Sequence, residues 1–131
     1  MTNTPAYARA EQRRHPRICV CVPIACTSVD AEAKPLDMNM GVIRDVSQAG
    51  LLLEANRPPE SERLLLTYVD LERNIVELYG WVVRAQPTAA GTCRVGMRLE
   101  GSPEAKLEFV RKLVRLHHYT KKSGAGTADG L

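Results

Sequence analysis

The sequence predicts a mainly β protein, an all-β barrel or sandwich completed by one C-terminal helix. Three observations carry that prediction. Short β-rich runs bounded by turn residues recur at regular spacing along the chain. Residues 71–74, between the fourth and fifth runs, are few enough for a hairpin, which implies meandering antiparallel connections. Only the final run switches to apolar residues three and four apart, the spacing of a helix.

The β-rich runs are RICVCVPIACTSV (17–29), MNMGVIRDV (38–46), GLLLEA (50–55), RLLLTYVDL (63–71), NIVELYGWVVRAQ (74–86) and TCRVGMRLE (92–100). The separators AEAKPLD, SQAG, NRPPES, ERN and PTAAG supply the Gly, Pro, Asn and Ser that turns use. In the fifth run Ile75, Leu78, Trp81 and Val83 keep no single parity, and Gly80 sits where they shift. That pattern predicts a bulge or sharp bend at Gly80. In SPEAKLEFVRKLVRLHHY, Ser102 is the N-cap, Pro103 takes the first helical position and Glu104 lies in the first turn. Leu107, Val110, Leu113 and Val114 then make one apolar face, able to pack on the β-structure or on a second subunit. Arg111, Lys112 and Arg115 gather toward the expected C-terminal end, where the helix dipole favours cations.

A chain of 131 residues suits one domain that buries a core without disulfides or a metal. Residues 1–12 and 120–131 are small and polar and are expected as flexible tails. The domain between them spans 13–119, with a loop at 13–17, β-structure at 18–100 and the helix at 103–119. Lys+Arg of 18 against Asp+Glu of 15 gives +3 at pH 7, short of the charge of proteins that coat nucleic acid. Cys19, Cys21, Cys26 and Cys93 form no CxxC pair and have no histidine at ligand spacing. They read as buried thiols of a reducing compartment, and no metal site is expected. The polar N-terminus lacks the apolar stretch of a signal peptide, and ICVCVPIAC falls short of the roughly 20 residues of a membrane span. A soluble cytoplasmic protein is the expectation.

Two strings carry chemistry. In RRHPR, three residues separate Arg13 from Arg17, and Pro16 disfavours helix at His15. On an extended course the two guanidinium groups reach points up to about 13 Å apart. Arginine's planar fork matches phosphate oxygens and the O6/N7 edge of guanine. In DVSQAG, Asp45 and Ser47 are two apart, which on an extended chain puts a carboxylate and a hydroxyl on one face. Guanine's Watson–Crick edge offers N1–H and its amino group to such a carboxylate. Gly50 lets the backbone bend or approach a flat ligand.

Each string also has an ordinary reading: a solvated basic tail for the first, an Asx/Ser turn for the second. A nucleic-acid arm of Arg9, Arg13, Arg14 and Arg17 is a further reading; its affinity would fall steeply with salt, and it leaves Asp45 without a role. Nucleophilic catalysis lacks a base for Ser47, since His15 lies in the basic loop and His117 and His118 at a surface helix end.

Together the strings resemble the PilZ domain family, whose signatures are RxxxR before the first strand and D/N-x-S-x-x-G between the second and third. Here they stand as Arg13-Arg14-His15-Pro16-Arg17 and Asp45-Val46-Ser47-Gln48-Ala49-Gly50. The likeness continues through GVIRDVSQAGLLLE, YGWVVRAQ and RVGMRLEG to the closing helix, about residues 13–119. It implies a six-stranded antiparallel PilZ-type β-barrel with a C-terminal α-helix, which binds the bacterial second messenger cyclic di-GMP. By this resemblance Arg13 and Arg17 grip the ligand's phosphates and guanine edges, Asp45 and Ser47 hydrogen-bond a guanine, Gly50 supplies backbone room and Arg14 is an auxiliary contact. The protein would then be a receptor, not an enzyme, with no cofactor. It would order its N-terminal loop on binding and signal to a protein partner or to a second copy. A ligand-independent adaptor of the same fold and a basic-arm nucleic-acid module are the alternatives.

Overall fold

The computed structural model describes residues 16–130, with side chains described through residue 121. The elements are β1 (Ile18–Val29), β2 (Pro35–Val46), β3 (Gly50–Ala55), β4 (Arg63–Val69), β5 (Ile75–Pro87), β6 (Cys93–Leu99) and α1 (Pro103–Gly130). The strands close an antiparallel barrel in the order β1-β2-β3-β6-β5-β4. Strict alternation builds its core. In β1, Val20, Val22, Ile24 and Cys26 face inward and are buried, as are Leu64, Leu66 and Tyr68 in β4. The same alternation turns Cys21 outward, so Cys19 and Cys21 are exposed and only Cys26 and Cys93 are buried thiols. An apolar run on a barrel wall has one wet face, which corrects the expectation that all four are buried.

Three hairpins share one turn. Asp30, Asp70 and Thr88 each open it with a side-chain oxygen that accepts backbone N–H groups two and four residues on. The residue before the last, Ala33, Arg73 or Gly91, adopts a left-handed φ of 65°, 69° or 87°. The Asp30 turn closes so tightly that β2 starts at Pro35, where the sequence still predicts a connection.

The expected meander breaks once. β3 lies beside β6, and β4 closes onto β1. Pro58 and Pro59 cannot donate to a ladder, which keeps this part of the chain after β3 out of strand pairing. The linking segment instead crosses the barrel end past β1 and β2. Asn39 Nδ2 donates to Arg57 O at 2.8 Å, Glu60 N–H donates to Ser28 Oγ at 2.9 Å, and Arg57 pairs with Asp37 at 2.8 Å. In β5 the register shift falls between Val82 and Arg84, whereas Gly80 stays in register with Leu64 and Leu99. Gly80 is closely packed: a Cβ there would meet the movable Met97 methyl at 2.8 Å and the Arg98 carbonyl oxygen at 3.3 Å.

Helix α1 begins as expected, with Ser102 Oγ accepting the Ala105 N–H at 3.1 Å. Its packed face is Phe109, Val110 and Leu113, with Val114 and Leu116 partly buried, while Leu107 is exposed. Phe109 is anchored twice: Tyr68 OH donates to its carbonyl at 2.7 Å, and the two rings meet edge-on at 5.2 Å. No proline follows to stop the helix, and its backbone continues to Gly130, beyond the expected end at 119. Arg111, Lys112 and Arg115 therefore sit mid-helix, out of the dipole's last turn. Ion pairs occupy them instead: Lys112 with Asp70 at 3.6 Å, Arg115 with Glu72 at 3.7 Å and Arg111 with Glu108 at 3.9 Å.

Candidate ligand-binding site

The first strand enters the barrel beside the β2–β3 turn, and two irregularities shape that rim. Cys19 pairs with Asp45, but the next partners are Val22 and Ile43, so Val20 and Cys21 share Arg44 as their one opposite residue. A second shift lies between Ile43 and Asp45 on the β3 side. The bulges reset the parity of β2, burying both Ile43 and Val46 and leaving Asp45 at the edge.

There the two motifs meet. Arg17 Nη1 donates to Asp45 Oδ1 at 3.1 Å, with side chains 60% and 19% exposed. An exposed pair of this kind contributes about 1 kcal/mol or less, so a better partner for either group can displace it. Arg17 is Asp45's one side-chain partner among the described residues. Asp45 Oδ2 and half of the guanidinium fork remain available.

Ser47 lies one residue past β2 and spends its hydrogen bonds inside the turn. Its N–H donates to Gly50 O at 2.8 Å, and its Oγ accepts from Ala49 and Gly50 N–H at 3.3 Å. Leu99 N–H then donates to Ala49 O at 3.0 Å, tying the turn to β6. Gly50 is required by that contact: a Cβ would run into the Met97 carbonyl oxygen. The structure thus brings Arg17, Asp45, Ser47 and Gly50 to one rim, with Ser47 as the turn's own brace. Arg13 and Arg14, with His15, lie outside the described residues.

Two residues passed over in the sequence stand beside this turn. Arg98 is in register with Gly50, and Trp81 with Arg98. Met97, Leu99 and Val82 turn inward, so Arg98 and Trp81 face out and add a cation and an aromatic surface to the neighbourhood. Inward–outward parity in RVGMRL was the signal that would have found Arg98. Arg44, at the bulge, is occupied: its Nε donates to Glu54 Oε1 at 3.1 Å. The Thr92 hydroxyl, and then Arg44, hold the Glu54 carboxyl below the usual range.

The bulge also frees the Cys21 N–H from β2, and His117 Nδ1 accepts it at 3.1 Å. His117, expected merely at a surface helix end, instead ties α1 to the strand that follows Arg17. Among the described residues no group of three or more His, Cys, Asp or Glu is placed to hold a metal ion. No helix among them is long and apolar enough to cross a membrane.

A closed six-stranded barrel carrying an arginine–carboxylate pair on its rim defines a small β-barrel domain with a charged edge. The sequence matches the PilZ domain over residues 11–116, and the chain belongs to the PilZ domain family. Solved structures resemble it in fold. The PilZ domain of CeSA from a cellulose-synthesizing bacterium is 16% identical, with a TM-score of 0.53 over 76% of this chain and 96% of that one. The PilZ domain of YcgR from Escherichia coli, solved with c-di-GMP, is 16% identical, with a TM-score of 0.56 over 92% and 99%. YcgR from Escherichia coli in complex with c-di-GMP is 18% identical, with a TM-score of 0.51 over 91% of this chain and 50% of that one. No curated protein matches the chain.

Proposed function

We propose that this chain is a receptor for cyclic di-GMP, and the observation that carries the reading is the Arg17–Asp45 pair at the rim. The ligand offers each member a better partner. Its phosphate or guanine O6/N7 edge suits the guanidinium, and its guanine N1–H and amino group suit the carboxylate. Arg13 would add the second fork and Arg14 an auxiliary contact. Ser47 would contribute by fixing the turn that presents Asp45, and Gly50 by letting that turn lie against β6. Arg98 and Trp81, next in register, would offer a cation and an aromatic surface to a second purine or phosphate.

Binding neutralises the cluster Arg13, Arg14 and Arg17 and so orders the segment leading into β1. Signalling is then an ordering of that segment, read by a protein partner or a second copy. The receptor needs no catalytic group and no cofactor, and it acts in the cytoplasm, where the messenger is found. Amide exchange across Ala10 to Ile18 should slow on binding; unchanged exchange with ligand demonstrably bound would dismiss the ordering step.

The direct test is calorimetric titration with cyclic di-GMP, GMP and cyclic di-AMP, of the native chain and of Arg13→Ala/Arg17→Ala. Saturable binding of the guanine dinucleotide alone, lost in the variant, is the expected result, and its stoichiometry separates one ligand from a stacked pair. No binding by calorimetry and by fluorescence of labelled ligand would leave an adaptor of the same fold. Salt-sensitive binding of any polyanion would leave a basic arm.

A further inference from the structure

Helix α1 is fastened to both halves of the barrel, and its polar anchors divide unevenly between them. β1, β2 and β3 pair in chain order, as do β4, β5 and β6. The second half holds most of the helix: Tyr68 OH donates to the Phe109 carbonyl at 2.7 Å, Asp70 faces Lys112 at 3.6 Å and Glu72 faces Arg115 at 3.7 Å. The first half carries the rim with Arg17, Asp45 and Ser47. Among the described residues a single hydrogen bond and no ion pair joins α1 to that half, from Cys21 N–H to His117 Nδ1 at 3.1 Å. The bond falls where β1 is least supported. Pairing of β1 with β4 runs only from Ala25–Thr67 to Val29–Arg63, so Cys21 has no partner in β4 and the imidazole supplies the acceptor. On the other side Cys21 belongs to the bulge in which it shares Arg44 with Val20. Cys19 comes next and is in register with Asp45; Arg17, two residues further, donates to that carboxylate. One strand thus leads from the helix bond to the rim pair.

We infer that His117 is a positioning residue that couples the ligand rim to α1, which makes the helix the element that passes binding on. The inference rests on the receptor reading above. The His117 bond fixes the bulge, and the bulge fixes the direction in which the chain leaves β1 toward Arg17. A ligand that displaces the Arg17–Asp45 pair moves the same end of β1, and the bulge, unsupported by β4, is where the strand yields. The bulge has two arrangements, with the His117 bond made or broken, and ligand and helix each bias that equilibrium. Coupling of this kind is reciprocal: the factor by which ligand shifts the bond is the factor by which the bond shifts ligand affinity. The next residue on the helix is the natural control. His118 is exposed, its ring lies 5.4 Å from that of His117, and its side chain makes no hydrogen bond among the described residues.

The test is nuclear magnetic resonance of the full native chain, labelled with nitrogen-15, with and without cyclic di-GMP, beside His117→Ala, His117→Asn and His118→Ala. Two measurements need no ligand. The neutral His117 ring should carry its proton on Nε2, since Nδ1 accepts. His117→Ala should speed exchange of the Cys21 amide by about tenfold or more and displace the Arg17 and Asp45 resonances, whereas His117→Asn, whose side-chain oxygen can accept the same N–H, should restore both. With cyclic di-GMP, the native chain should respond at residues 45–50 and also at residues 113–119 of α1. In His117→Ala the rim should still respond and the helix should not, at an affinity lowered about fivefold. His117→Asn and His118→Ala should stay within about twofold of the native chain. A simple loss of stability would lower the melting temperature without uncoupling the helix from the rim. Several results would overturn the inference: a proton on Nδ1, Cys21 exchange indifferent to His117→Ala, or a native helix silent to bound ligand. So would a helix that answers the ligand equally well in His117→Ala. A native chain that binds no cyclic di-GMP would remove the receptor reading, and undisturbed Arg17 and Asp45 resonances in ligand-free His117→Ala would remove this one.

Discussion

Two aspartates stand at the same end of the barrel, one near the end of β2 and one in the β4–β5 turn, and each pairs with a cation outside its own element. Asp70 is enclosed. Its side chain is 2% exposed, its Oδ1 accepts the Glu72 and Asn74 N–H groups, and its Oδ2, buried without a hydrogen-bond partner among the described residues, faces Lys112 of α1 at 3.6 Å. Asp45 is 19% exposed and holds one arginine, itself mostly in solvent. The first residue shapes a turn and fastens the helix; the second leaves acceptor capacity unused. Binding ability resides in the group whose free acceptor the fold leaves within reach of a ligand, and the contrast makes the assignment of roles testable.

The largest separation is expected in ligand affinity. Asp45→Ala should weaken cyclic di-GMP binding by roughly 30–100-fold, the loss of one charge-assisted contact, and move the melting temperature by less than about 2 °C. Calorimetry paired with thermal melts reads both. A drop of several degrees at unchanged affinity would reverse the roles of the two aspartates. Asp70→Ala should do the opposite, lowering the melting temperature by roughly 5–10 °C while leaving affinity within about twofold.

A smaller effect sharpens the comparison with pH. The Asn74 N–H first, then the Glu72 N–H and Lys112, hold the Asp70 carboxyl below its ordinary 3.8 in spite of burial. The unfolded chain therefore binds this proton more readily than the folded one. The stability Asp70 contributes is complete above about pH 4 and is lost as pH falls through the lowered folded value. Melting temperatures of Asp70→Asn should consequently decline less steeply with acid than those of the native chain; parallel declines would refute the assignment. The smallest effect lies in the same turn. Arg73 holds φ at 69°, and Arg73→Gly should raise stability by about 0.5 kcal/mol in a urea titration.

The strands were legible because alternation and turn residues coincide, as in GLLLEA, where Leu51, Leu53 and Ala55 are buried. The N-cap at Ser102 was legible for the same reason, since its signal is local. The crossing after β3 was hidden because the partners of β3 and β4 are settled by distant strands. Leu107, expected on the packed face, is exposed, and Phe109, not named for that face, is buried, because the barrel rim decides which helical turn is covered. At the candidate site, Asp45, Ser47 and Gly50 were legible as a turn and Arg17 as a neighbouring base. Their convergence depends on two bulges, which single-sequence periodicity does not register.

The short contact between β1 and β4, from Ala25–Thr67 to Val29–Arg63, also sets an order in time. Hairpins can close locally, whereas these pairs, like those of β3 with β6, join positions roughly forty residues apart and cannot form until the intervening chain is gathered in. Closure of the barrel is thus the natural last event of folding. The cylinder is two locally paired three-stranded meanders, β1 to β3 and β4 to β6, clasped along two seams.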